Sequence, residues 1–87
     1  MHESRLMAGL IRQIDEIAKS ERARHVVRVS VRIGSLSYFS ATHFAEHFER
    51  ASRGSFAEGA DLVTTVSTDT NDPRAQDIVL ESVEVES

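Results

Sequence analysis

Four residues of this 87-residue chain can offer imidazole nitrogen to a metal ion: His2, His25, His43 and His47. His2 holds the most productive position. The α-amine of Met1, the backbone nitrogen of His2 and its imidazole lie a few bonds apart, so together they can close fused chelate rings around one ion. The backbone nitrogen of Glu3 can complete a planar set of four nitrogens. Such a set suits Ni(II) or Cu(II) and is poor for zinc, calcium or magnesium. The bulk of His2 keeps the initiator methionine in place, because the usual aminopeptidase needs a small second residue. An α-amine ordinarily titrates near pH ~8, so metal binding at neutral pH must displace protons. The competing reading is that His2 is one more polar residue at a frayed chain end.

His43 and His47 stand four apart with Glu46 between them, a spacing that lets two imidazoles converge on one helix face. Measured from the stripe of Phe44 and Phe48, His47 falls at its margin and His43 further towards solvent. With no third histidine nearby in sequence, a solvated helix face accounts for the pair without a metal. His25 precedes the first strand with no partner in view and reads as a surface histidine. Glu81, Glu84 and Glu86, interleaved with Val83 and Val85, read as the wet side of a strand by their spacing. No nucleophile-elbow or phosphate-loop glycine pattern accompanies the Ser, Asp and His residues. No residue is assigned a catalytic role, and the protein is not expected to be an enzyme.

The elements that position these residues follow from periodicity. Leu6, Met7, Leu10, Ile11, Ile14, Ile17 and Ala18 recur at helical spacing. They form the apolar stripe of an amphipathic helix of about four turns. Ser4 is its expected N-cap, and the helix should fade around Ser20. Val27, Val29, Val31 and Ile33 alternate with Arg28, Ser30 and Arg32, the pattern of a half-buried strand that Gly34 ends. Ser40 caps a second helix, with Phe39 and Phe44 placed as a hydrophobic staple. Its expected buried stripe is Ala41, Phe44, Ala45, Phe48 and Ala51, with Gly54 as the stop. Leu62 to Thr68 is a second strand. Asn71, Asp72 and Pro73 form a turn, and Ile78 to Val85 is a third strand. The apolar phase of that strand slips between Leu80 and Val83, which a bulge or an edge position would produce.

The order is α-β-α-β-β, an α+β fold with a three-stranded mixed sheet covered on one face by two helices. The strand–helix–strand connection predicts parallel pairing, and the short final loop predicts an antiparallel pair.

Composition narrows the function classes. With 40% hydrophobic and 28% charged residues, four Gly and one Pro, the chain is a globular domain rather than a disordered or fibrous one. A net charge of -4 offers no general attraction to nucleic acid. The chain has no cysteine, which excludes disulfides, thiolate zinc sites and iron–sulfur ligation. No apolar run is long enough to span a membrane and the first residues are not signal-like, so a cytoplasmic location is the default expectation.

Met1-His2-Glu3 followed by an amphipathic helix resembles the opening of the HypA family of nickel metallochaperones. The likeness continues in Val29-Ser-Val-Arg-Ile-Gly34-Ser-Leu36-Ser, which is similar to the family's valine-rich strand and Ile-Gly-x-Leu-Ser turn. Phe44-Ala-Glu-His-Phe48 resembles its second helix, and Gly54-Ser-Phe-Ala-Glu-Gly59-Ala-Asp-Leu62 its Gly-Thr-Leu-Ala-Glu-Gly-Ala-x-Leu segment. Leu80-Glu-Ser-Val-Glu-Val-Glu86 is similar to its last strand. These matches are collinear over nearly the whole chain. The resemblance implies delivery of nickel to a [NiFe]-hydrogenase and sometimes a urease, with metal held at Met1, His2 and Glu3.

It implies a hydrogenase large subunit or a nickel-handling GTPase as partner. Family members carry a zinc module with paired Cys-x-x-Cys motifs between their last two strands. Here residues 1–87 read as the nickel-binding domain alone, with a short turn near 68–77 in the module's place, so zinc is not expected. Two further departures are Ser35 and Ser40, where the family usually or often carries an acid. The alternative is a HypA-like domain recruited as a small non-catalytic structural or assembly subunit of a larger enzyme complex.

Overall fold

The computed structural model describes residues 2–37 and 39–87, with His2 and Glu3 described by their backbone. Five elements follow in order: α1 (His2–Ser20), β1 (His25–Ile33), α2 (Ala41–Ala51), β2 (Asp61–Val66) and β3 (Ile78–Glu86). The sheet order is β2-β1-β3, with β1 parallel to β2 and antiparallel to β3. This is the expected mixed sheet of an α+β fold. The antiparallel partner of β3 is the central strand β1, however, and not β2 across the short connection. The chain leaving β2 crosses the end of β1 before it turns back. Gly34 allows that crossing, since a Cβ there would run into the carbonyl of Ala75. The amides of Gly34 and Leu36 donate to the carbonyls of Asp77 and Ala75 at 2.9 and 2.8 Å.

The core lies between the sheet and the two helices. Met7, Leu10, Ile11, Ile14 and Ala18 line the buried stripe of α1, and Phe44 and Phe48 that of α2. They meet Val26, Val29, Val31 and Ile33 of β1, each no more than 1% exposed. Helix α1 packs against α2 and β3, and α2 packs against β2. Opposite Val26, Val29, Val31 and Ile33 on β3 stand Val85, Val83, Leu80 and Ile78. Two register shifts make this matching possible. One leaves Val27 as the extra residue between Val26 and Arg28, and the other leaves Glu81 extra between Leu80 and Ser82. The second shift is the bulge expected from the slip between Leu80 and Val83.

Several sequence expectations are corrected here. Helix α1 begins by His2, so Ser4 lies inside its first turn instead of capping it. Leu6 is exposed, while Met7 and Leu10 carry the stripe. Strand β1 begins at His25, not Val27, and its bulge turns Val27 outward while Val26 enters the core. On α2, Ala45 and Ala51 are exposed. The stripe set by Phe44 and Phe48 continues one turn on to Ser52, which is buried with its hydroxyl donating to the Glu49 carbonyl at 3.1 Å. The helix ends at Ala51 with Ser52 as its C-cap, and Gly54 follows at φ +79° in the turn beyond.

Candidate metal centre

The first candidate donors lie at the start of α1. Met1 falls outside the described residues, and His2 and Glu3 are placed by backbone alone in the first helical turn. The first four amides of a helix have no intrahelical acceptor. The backbone nitrogens of His2 and Glu3 can therefore release their protons to solvent and bind a metal ion without costing the helix a hydrogen bond. An amine, amide nitrogens and an imidazole are the donor types that suit a planar Ni(II) ion. The helix dipole opposes a cation at this end by about 0.3–1 kcal/mol, a small charge against several nitrogen–metal bonds.

Ser4 opens onto a cleft between the helices, lined also by Met7, Ile11 and Asp15 of α1 and by His47 and Arg50 of α2. The carboxylate of Asp15 accepts from the amide of Phe56 at 3.1 Å. That bond ties the middle of α1 to the segment leaving α2. Nothing in the sequence marks Asp15 for this task, because its partner is 41 residues away.

His43 and His47 meet, as their spacing predicts. Their Nε2 atoms lie 2.9 Å apart, one ring donating to the other. His43 is exposed and His47 half-buried, as expected from the Phe44/Phe48 stripe. Ser40 caps the helix, its hydroxyl accepting from the His43 amide at 3.1 Å. Phe39 and Phe44 meet edge-to-face with centroids 5.7 Å apart, completing the staple. The Phe39 ring does more than staple: it also stands edge-on to His43 at 5.8 Å and His47 at 6.1 Å. Sequence reasoning assigns Phe39 only to the staple. Glu46 is exposed, and among the described residues no group of three or more His, Asp or Glu side chains is placed to hold a metal.

The remaining candidates have other tasks. His25, an exposed histidine as expected, faces Glu86 with Nε2 and Oε1 3.5 Å apart. Arg28 pairs with Glu84 at 2.7 Å and Arg32 approaches Glu81 at 4.0 Å. The three glutamates form the wet side of β3, where they meet bases of β1. Ser35 donates to the Asp69 carbonyl at 3.1 Å and so helps hold the connection that follows β2. No helix among the described residues is long and apolar enough to cross a membrane.

The family model for "Hydrogenase/urease nickel incorporation, metallochaperone, hypA" matches residues 1–71. Similar curated relatives include the hydrogenase maturation factor HypA of Archaeoglobus fulgidus, 35% identical over 66 residues, which cover 76% of this chain and 60% of that protein. The HypA of Xanthobacter autotrophicus is 35% identical over 63 residues, 72% of this chain and 56% of that protein. The chain thus spans somewhat over half the length of the curated relatives it matches. The solution structure of the Ni metallochaperone HypA from Helicobacter pylori superimposes with a TM-score of 0.81 at 20% identity, covering 98% of this chain and 97% of that one. A second solution structure, of a HypA protein, gives 0.79 at 22% identity over 98% and 96%. At these identities the likeness is one of fold. It extends past residue 71, where the family match ends, to take in β3.

Proposed function

The chain belongs to the HypA family, a family of maturation factors and not of enzymes, and on that premise we propose that it is a nickel carrier whose cargo site is Met1-His2-Glu3. The Met1 amine, the backbone nitrogens of His2 and Glu3 and the His2 imidazole supply the donors. What supports this is that the family match begins at residue 1, on the residues whose chemistry independently suits Ni(II). A site on the first turn of a helix is open to solvent-borne ligands, and the positive end of the helix dipole works against a resident cation. Both favour release by ligand exchange over permanent binding. Residues 1–87 act in this reading as one nickel-binding domain, the connection near 68–77 standing in place of the family's zinc module, and without cysteine the chain has no thiolate for zinc.

The cargo goes to the maturation of a [NiFe]-hydrogenase in the cytoplasm, with the hydrogenase large subunit or a nickel-handling GTPase as partner. Titration of Ni(II) into the chain with a native amino terminus, and into one extended by a single N-terminal residue, tests the site. Extension should abolish the N-terminal site. Equal binding by the two forms, in both affinity and stoichiometry, would remove the amine–His2 mechanism.

A further inference from the structure

We propose that His43 and His47 form a second metal site, a two-imidazole clamp for Ni(II) on α2, separate from the chain's first residues. The argument rests on the distance between their nitrogens. Two metal–nitrogen bonds of about 2.0–2.1 Å at a right angle place the donors about 2.9 Å apart, whereas a tetrahedral angle spreads them to about 3.3–3.4 Å. The observed Nε2–Nε2 separation is 2.9 Å. That length is also an ordinary N–H···N hydrogen bond, with its proton on the line between the nitrogens. An ion held by both sits off that line, so the spacing can stay while the proton leaves and each ring turns its lone pair toward the metal. Among the described residues no third His, Asp or Glu side chain joins them, and the two imidazoles are the donors proposed.

The surroundings hold this geometry. Phe39 meets both imidazoles edge-on, with interplanar angles of 84° and 75°, and is itself braced against Phe44, a fully buried residue. The backbone beneath His43 is fixed by the Ser40 cap. The pair thus loses little rotamer freedom when it binds, which is what makes a two-ligand site useful. His47 also lines the cleft onto which Ser4 opens, so a metal on the pair sits on the side of the molecule from which the chain starts.

The test uses Ni(II) alone, titrated into the chain with its native terminus, the chain extended by one N-terminal residue, and the extended chain carrying His43→Gln. The extended chain should bind one Ni(II), with the ring resonances of His43 and His47 perturbed together. H43Q should weaken that binding at least ten-fold, and H47Q should do the same. His43 is exposed on a capped helix, so H43Q should keep its melting temperature without metal. An extended chain that binds no Ni(II), or binds it equally well as H43Q, overturns the clamp. The two sites fail separately: the native chain binding while the extended one does not leaves only the N-terminal site, and binding unaffected by extension but lost in H43Q leaves only the clamp.

Discussion

The two faces of the sheet are made by the same strands and held by different physics. On the inner face, Val26, Val29, Val31 and Ile33 are removed from water by two helices. On the outer face the same strand presents His25, Arg28 and Arg32 to Glu86, Glu84 and Glu81 of β3, at separations from 2.7 to 4.0 Å. The inner face supplies the free energy of folding, since burial of apolar area is its dominant favourable term. The outer face supplies charge pairing in water, where each pair contributes little. Its service is to keep an uncovered sheet face wet, and so to discourage the stacking of exposed apolar surface.

The sharpest way to break this comparison is to empty the inner face. Phe44→Ala should cost about 3–5 kcal/mol, the range for a buried phenylalanine, measured by urea denaturation. A loss below about 1 kcal/mol would show that the stability lies elsewhere. Next in size is Gly34→Ala, which drives a methyl group into the Ala75 backbone. Backbone cannot yield as a flexible side chain can, so a loss of about 1–3 kcal/mol is expected. Faster hydrogen exchange at the Leu36 amide, which is bonded to Ala75, should accompany it. Unchanged exchange would mean that the crossing tolerates the methyl. The smallest effect belongs to the outer face. A double-mutant cycle on Arg28→Ala and Glu84→Ala should give a coupling of about 0.2–1 kcal/mol that shrinks as salt is added. A coupling above about 2 kcal/mol would erase the distinction between the faces.

Much of this arrangement can be read from local pattern. The 3.6-residue stripe of α1, the Ser40 cap and the Phe39–Phe44 staple depend on residues within a few positions of one another. The cap and the staple occur as expected, and the stripe does so except that Leu6 is exposed. The bulge in β3 is also legible, because a misplaced apolar phase leaves a visible slip. The compensating bulge in β1 is hidden. Val26 and Val27 are both valines, and which one faces inward is decided by pairing with Val85 and Glu84, far along the chain. Alanines mislead for a different reason: Ala45 and Ala51 are apolar but too small to set a helix's orientation, and Phe44 and Phe48 set it without them. The pairing of β3 with β1 depends on a crossing whose only local trace is Gly34.

The candidate sites divide in the same way. Donor chemistry at Met1, His2 and Glu3 is read directly from residue types and their adjacency. The spacing of His43 and His47 is legible, but the distance between their nitrogens and the brace supplied by Phe39 are properties of packing. Spacing alone therefore leaves the pair as a solvated helix face, and the 2.9 Å approach of the two Nε2 atoms is what motivates the proposed clamp.

The crossing between β2 and β3 also makes the fold extensible. These strands occupy opposite edges of the sheet, so the chain joining them completes no ladder between them and can be lengthened without disturbing one. Its anchors are Asp69, held by Ser35, and Ala75 and Asp77, held by Leu36 and Gly34. Between Asp69 and Ala75, Asn71 and Pro73 are exposed, and the family match ends at residue 71. A whole module grafted there would inherit two fixed stems and leave the sheet and both helices undisturbed.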